Sequence, residues 1–260
     1  MIELKAKLWR GVGVAALAAG ALAACTPAGQ QASARSDDTG ETAAAPPQTS
    51  AGGESGEAGA NLVYGNLSPA ETTQLRLQHL KGFLLIARKE LDAGHAPEAG
   101  ALIGQGRLEV YTPAAADFAG LDPAAFDTAS NALMDAKPNG AAALKAALAA
   151  LGAKQGVADA ELVRRMLKIT GGLYSGVNGA DGVDPLEYQH SQGAALSTLD
   201  AFARAEPALR AKNAARTAEA KAELTRLVAL WPAVQAPDAP TPTAQVNAQI
   251  SRVELALSGL

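Results

Sequence analysis

Three times along this chain a serine or an aspartate is followed at once by proline: Ser68-Pro69, Asp122-Pro123 and Asp184-Pro185. A short polar side chain can accept from the unpaired N–H groups of a first helical turn, and proline suits the first position because it has no N–H to lose. Ser68 and Asp184 are also followed three residues on by Glu71 and Glu187, the spacing of a capping box. Helices therefore start at these points. After Ser68, Leu77, Leu80, Leu84, Ala87 and Leu91 recur three and four apart, while Arg76, Lys81, Arg88 and Lys89 fall mainly on other faces. This helix should stop at Ala93-Gly94, where glycine can form a C-terminal cap.

The same punctuation carries through the rest of the chain. Pro97-Glu98-Ala99 restarts a shorter helix, giving an αα-hairpin, and Gly104, Gly106 and Pro113 interrupt it. Further helices are expected from Asp122-Pro123 to Leu133, from Pro138-Asn139 to Leu151 and from Asp159 to Ile169. Gly171-Gly172, Asn178-Gly179 and Asp181-Gly182 then read as a loop dense in turn residues. A long helix runs from Asp184 to about Ala205, and Pro207 opens the next, with Leu224, Leu227, Val228 and Trp231 as its packed stripe. A Pro-rich crossover, Gln235 to Pro242, leads to a last helix from Thr243 to Leu257, with Val246, Ile250, Val253 and Leu257 on one face. The fold class is all-α, a single bundle of seven or eight helices over residues 62–260, with no convincing strand. About a quarter of the residues are alanine and only 4% are aromatic, so the core must come from small aliphatic side chains that let helices approach closely.

Residues 1–24 read as an export signal: Lys5, Lys7 and Arg10 precede an apolar run from Gly11 to Ala24, too short for a stable transmembrane anchor. The run ends Leu22-Ala23-Ala24-Cys25, which looks like the lipobox of bacterial lipoproteins. Cys25, the only cysteine, is then the lipidated N-terminus, and its acyl chains contribute roughly 0.8 kcal/mol of anchoring for each buried methylene. Thr26 in place of aspartate directs such a protein to the outer membrane under the enterobacterial sorting rule, on the periplasmic side of the envelope. Residues 25–61 combine the lipidated cysteine with a tether of Ala, Gly, Ser, Thr, Pro, Gln and Glu, which cannot bury enough surface to offset ordering. A flexible tether of this length reaches roughly 30 Å. Net charge is −4, and removal of the signal takes it to −6, which leaves no basic surface for nucleic acid.

The chain carries no Gly-x-Ser-x-Gly elbow, no His-Glu-x-x-His and no phosphate-binding glycine loop, which points away from an enzyme. With Cys25 committed to lipid, metal chemistry must draw on His79, His95, His190 and carboxylates. Glu187-Tyr188-Gln189-His190 places a carboxylate and an imidazole three apart on one helix face, where both can reach a transition-metal ion. The stripe Glu187, His190, Ala194, Thr198 also fits a solvated face. His79 lies with Leu75, Phe83 and Ile86 near the edge of a core face, either as a packed histidine or as a third ligand. His95 reads as an exposed turn residue without a role. The Asn178 to Asp184 loop lacks the residue order of a calcium loop.

Two stretches resemble known families. Leu80 to Ala87, with Leu91-Asp92-Ala93-Gly94 and Glu109-Val110-Tyr111, is similar to uncharacterised exported α-helical lipoproteins of proteobacteria. In that group histidines occupy the positions of Phe83 and Gln105, so this chain departs from the pattern there. Gly182-Val183-Asp184-Pro185-Leu186-Glu187-Tyr188-Gln189 resembles a segment in the extracytoplasmic helical domain of iron-permease-family proteins, where the Glu-Tyr pair opens a bundle helix. The Gly-x-His-x-x-Glu signature of imelysin-like metal-binding lipoproteins is missing. The resemblance implies a periplasmic bundle tied to metal uptake or resistance. The expected function is an anchored accessory or binding lipoprotein in iron or copper handling, with an envelope protein as partner. Ala-rich helices on a membrane tether fit a second function, a carrier of lipid or another hydrophobic ligand, and a third, a structural scaffold.

Overall fold

The computed structural model describes residues 62–65, 67–118, 120–179 and 182–260, so the expected signal peptide, Cys25 and the tether lie outside the described residues. After a short 3-10 turn at Leu62–Tyr64, α1 spans Pro69–Asp92. Its capping box is complete: the Glu71 N–H donates to Ser68 Oγ at 3.3 Å, and the Ser68 N–H donates to the Glu71 carboxylate at 2.9 Å. The following helices are α2 (Ala96–Gly106), α3 (Ala124–Met134), α4 (Gly140–Gly152), α5 (Ala160–Ser175), α6 (Pro185–Lys212), α7 (Ala214–Val228) and α8 (Thr243–Leu257). The expected all-α bundle of seven or eight helices is what forms.

Several boundaries differ from expectation, each for a physical reason. Gly104 and Gly106 do not end α2, which passes into a π-helical turn at Arg107–Tyr111 and a 3-10 stretch at Thr112–Phe118. Gly106 serves contact instead: a Cβ there would sit 2.7 Å from the side chain of Phe83 on α1. Gly171-Gly172 lie inside α5, where Gly171 makes room for Ile250 of α8. Pro207 does not open a helix but sits within the 28-residue α6, on its exposed side, where water can take the carbonyl that proline leaves unbonded. Buried Ala205 and Leu209 on either side hold the helix to the core, and Asn213 is the cap of α7. The expected loop before Asp184 contains a minimal antiparallel pairing of β1 (Asn178–Gly179) with β2 (Gly182–Val183).

The apolar side chains gather in two clusters. One is built on α5 to α8, with Tyr174, Tyr188, Phe202, Leu224, Trp231 and Val253. The other is built on α1 to α4, with Phe83, Leu84, Phe126, Leu133 and Leu144. The two helices that join them, α1 and α6, cross backbone to backbone. A Cβ added to Gly193 would lie 2.6 Å from the carbonyl oxygen of Gly82, and one added to Gly82 would lie 3.0 Å from the carbonyl of Gly193. Neither main chain can move aside without disturbing its own helix. Gly193→Ala is therefore expected to destabilise the fold by about 1–3 kcal/mol in chemical denaturation, whereas Gly152→Ala, which meets nothing within 4 Å, is expected to be neutral or slightly stabilising.

Candidate functional site

Around the Gly82–Gly193 crossing the facing surfaces of α1 and α6 are buried and polar. Gln78, His79 and Glu90 come from α1, and Glu187, Gln189, His190, Ser191, Gln192, Ser197 and Thr198 from α6. The stripe through Glu187, His190, Ala194 and Thr198 is therefore not a solvated face, because α1, α5 and the crossover after α7 cover α6 on several sides. At its start, Asp184 accepts from the N–H groups of Leu186 (2.8 Å) and Glu187 (3.1 Å), which fixes the first turn and places Glu187 inside.

His190 is 3% exposed, and its Nε2 lies 3.3 Å from Oε1 of Gln105. An amide oxygen only accepts, so the imidazole donates from Nε2 and turns Nδ1 toward Glu109, whose Oε2 is 3.7 Å away. Glu109 comes from the π-helical turn, an irregular geometry often found where helices carry function. The His190 ring also meets Phe83 edge-on, with centroids 4.6 Å apart. His79 packs on the same Phe83 ring at 5.7 Å, and its Nδ1 is 2.7 Å from the Tyr64 hydroxyl. Arg76 stacks over Tyr64 in turn. The two positions where the exported-lipoprotein resemblance places histidines, Phe83 and Gln105, thus both touch His190. Among the described residues, no group of three His, Cys, Asp or Glu side chains is placed to hold a metal ion in this conformation.

Two further polar knots flank this one. Gln78 donates from Nε2 to the Ser197 carbonyl (2.6 Å) and hydroxyl (2.8 Å), while its Oε1 accepts from Gln155 at 2.6 Å. Lys81 joins the knot through Asp200 at 2.7 Å and Gln155 at 2.9 Å, tying the α4–α5 connection to both central helices. At the other end of the seam Glu90, fully buried, accepts from Gln189 and Gln235 and meets Nδ1 of His95 at 2.7 Å. His95 is therefore not a bare turn residue. Glu90 could have been found in the sequence, because it falls on the stripe of Phe83 and Ile86, where a carboxylate must be compensated.

The crossover between α7 and α8 is held to the bundle by two buried hydroxyls. Tyr174 donates to the Thr241 carbonyl at 2.6 Å and Tyr188 to the Ala233 carbonyl at 2.9 Å. Burial pushes the Tyr174 hydroxyl up to about 12, the proximity of Tyr188 adds to this, and the bond to Thr241 opposes it. Burial raises Tyr188 as well, opposed by its bond to Ala233. Both folded values lie above the ordinary tyrosine value, so the stability they confer is complete below about pH 10 and is lost as pH rises through them, for Tyr174 at about 12. Absorbance titration should show Tyr174 and Tyr188 ionising late, together with unfolding, and Tyr174→Phe should remove one of the late steps.

Residues 155–260 match the family model of the iron permease-associated 4-helix bundle domain. The matched range contains α5, α6, α7 and α8, the four helices around which the cluster of Tyr174, Tyr188 and Phe202 forms. It includes the Gly182–Gln189 segment that carries the iron-permease resemblance. No curated protein and no solved structure matches the chain.

Proposed function

We propose that this protein is an accessory or binding lipoprotein on the periplasmic side of a bacterial envelope, anchored through Cys25 to the outer membrane, that handles a transition-metal ion, iron or copper, without catalysing a reaction. The metal part of the reading rests on one observation. The iron permease-associated match covers α6, the helix that buries Glu187 and His190 in the polar seam. Imidazole nitrogen and carboxylate oxygen together suit first-row divalent ions. His190 Nδ1 and Glu109 Oε2, 3.7 Å apart, stand near the separation of two ligands on one ion whose bonds are each about 2.0–2.2 Å long.

Glu187 adds a carboxylate one turn before His190, and His79 lies on the other contact of Phe83. With Phe83 and Gln105 in place of histidines, the donor set favours weak, exchangeable binding, which suits an ion passed to an envelope partner rather than stored. The Cys25 anchor holds the bundle where such a partner would be met.

Calorimetric titration of the purified protein with ferrous, cupric and zinc ions tests the site. The Glu187→Ala/His190→Ala double variant is expected to bind at least about tenfold more weakly, and Gln105→His more tightly. Equal binding by the wild type and the double variant contradicts the assignment. The anchor is tested separately: Cys25→Ser should move the protein from the membrane fraction to the soluble periplasmic fraction.

A further inference from the structure

Glu90 has no exposed surface, yet its carboxylate is gripped by side chains from three segments. Gln189 of α6 and Gln235 of the crossover donate to Oε1, the latter at 2.7 Å. His95, in the turn between α1 and α2, sets Nδ1 2.7 Å from Oε2, and its own N–H closes the turn on the Glu90 carbonyl at 2.9 Å. The two amides are neutral donors. On α1 itself, Lys89 is exposed and Arg88 is paired with Asp92 at 2.9 Å. Among the described residues, the ionisable group that the structure places against the Glu90 carboxylate is His95, whose side chain is 40% exposed and so open to solvent. A buried carboxylate is costly without a counter-charge, and a protonated imidazole supplies one.

The segment on the other side of this grip is the crossover from Trp231 to Pro242. It spans the two apolar clusters: Trp231 belongs to the α5–α8 cluster, and Val234 packs against the α1–α4 cluster. It also covers α6, where Trp231 Nε1 donates to Ser191 Oγ at 3.2 Å and Gln192 Nε2 to the Ala233 carbonyl at 3.3 Å. Gln235 itself is exposed and sits in a non-helical segment, and its bond to Glu90 joins the packing of Val234 and Ala236 and the bonds to Ala233 in fixing the middle of the strap.

We infer that Glu90 and His95 form a proton-operated latch that holds the crossover against α6. A proton from solvent on His95 balances the Glu90 charge and keeps the carboxylate in place for Gln235. Loss of that proton leaves Glu90 with neutral donors only, and the strap loosens over Tyr188, Ser191 and Gln192. The latch is tightest on the acid side and loosens as pH rises. It does not depend on the metal reading, and its test uses no metal.

The experiment is ¹⁵N nuclear magnetic resonance of the purified full chain between about pH 8.5 and pH 5.5, the range in which histidine changes charge. The Gln235 side-chain amide and the backbone amides of the crossover should titrate with the same midpoint as the His95 ring. Corrected for intrinsic rate, the Gln235 amide should exchange about tenfold more slowly at the acid end. His95→Gln keeps a donor near Glu90 without the charge, and it should abolish the crossover titration while leaving the remaining spectrum in place. Gln235→Ala should leave the His95 titration intact and free the crossover from it. Crossover resonances that stay fixed over this range, or that titrate unchanged in His95→Gln, overturn the latch.

Discussion

The backbone contact between Gly82 and Gly193 sets the distance at which every other group in the seam must work. Because neither helix carries a side chain at the crossing, a residue as short as Ser197 can reach across. Its hydroxyl donates to the Gln78 carbonyl at 2.5 Å, while Gln78 returns two bonds to Ser197. The same approach presses Phe83 against His190 and brings Glu90 to Gln189. A Cβ at the crossing would push apart one pair of helices and, with them, three polar knots. Buried polar groups are affordable only when each finds its partner, so the crossing and the knots depend on one another.

This arrangement explains why a helix as polar as α6 is buried. An amphipathic surface helix shows water one face, but the first half of α6 is central and lies between two apolar clusters. Its amides, hydroxyls and imidazole meet α1, α5, the π-helical turn and the crossover. Such a seam contributes less to raw stability than an apolar core would, and it fixes which residues meet. It also leaves ionisable groups inside the protein, where charge is expensive and a proton or a cation has large effects.

The legible part of the sequence was its punctuation. Ser68, Asp159, Asp184 and Asn213 cap helices through side-chain bonds, and the first and third of these could be read directly because proline follows and glutamate completes the spacing. The glycines were harder, since a glycine that ends a helix and one that lets another helix approach look alike in one sequence. Gly94, with φ of +90°, is the first kind, and Gly106, Gly171 and Gly193 are the second. Pro207 misleads for a related reason: a proline on the wet side of a long helix costs one bond, and the buried neighbours keep the helix intact. Glu187, His190 and His79 were visible as residue types at helical spacing, but their burial was not, because periodicity describes one helix and burial depends on what covers it. Gln105 stood out only through the exported-lipoprotein resemblance, and Glu109 escaped as a site residue because its partner, His190, is some eighty residues away.

The iron permease-associated match supplies a family context for α5 to α8, and the seam supplies a nitrogen, carboxylates and a second imidazole at the junction with α1. The most direct measurement is anomalous diffraction from crystals of the protein loaded with iron, copper or zinc. The account predicts an anomalous peak within bonding distance of His190 Nδ1 and the Glu109 carboxylate. Peaks confined to exposed side chains, with none in the seam, would contradict it.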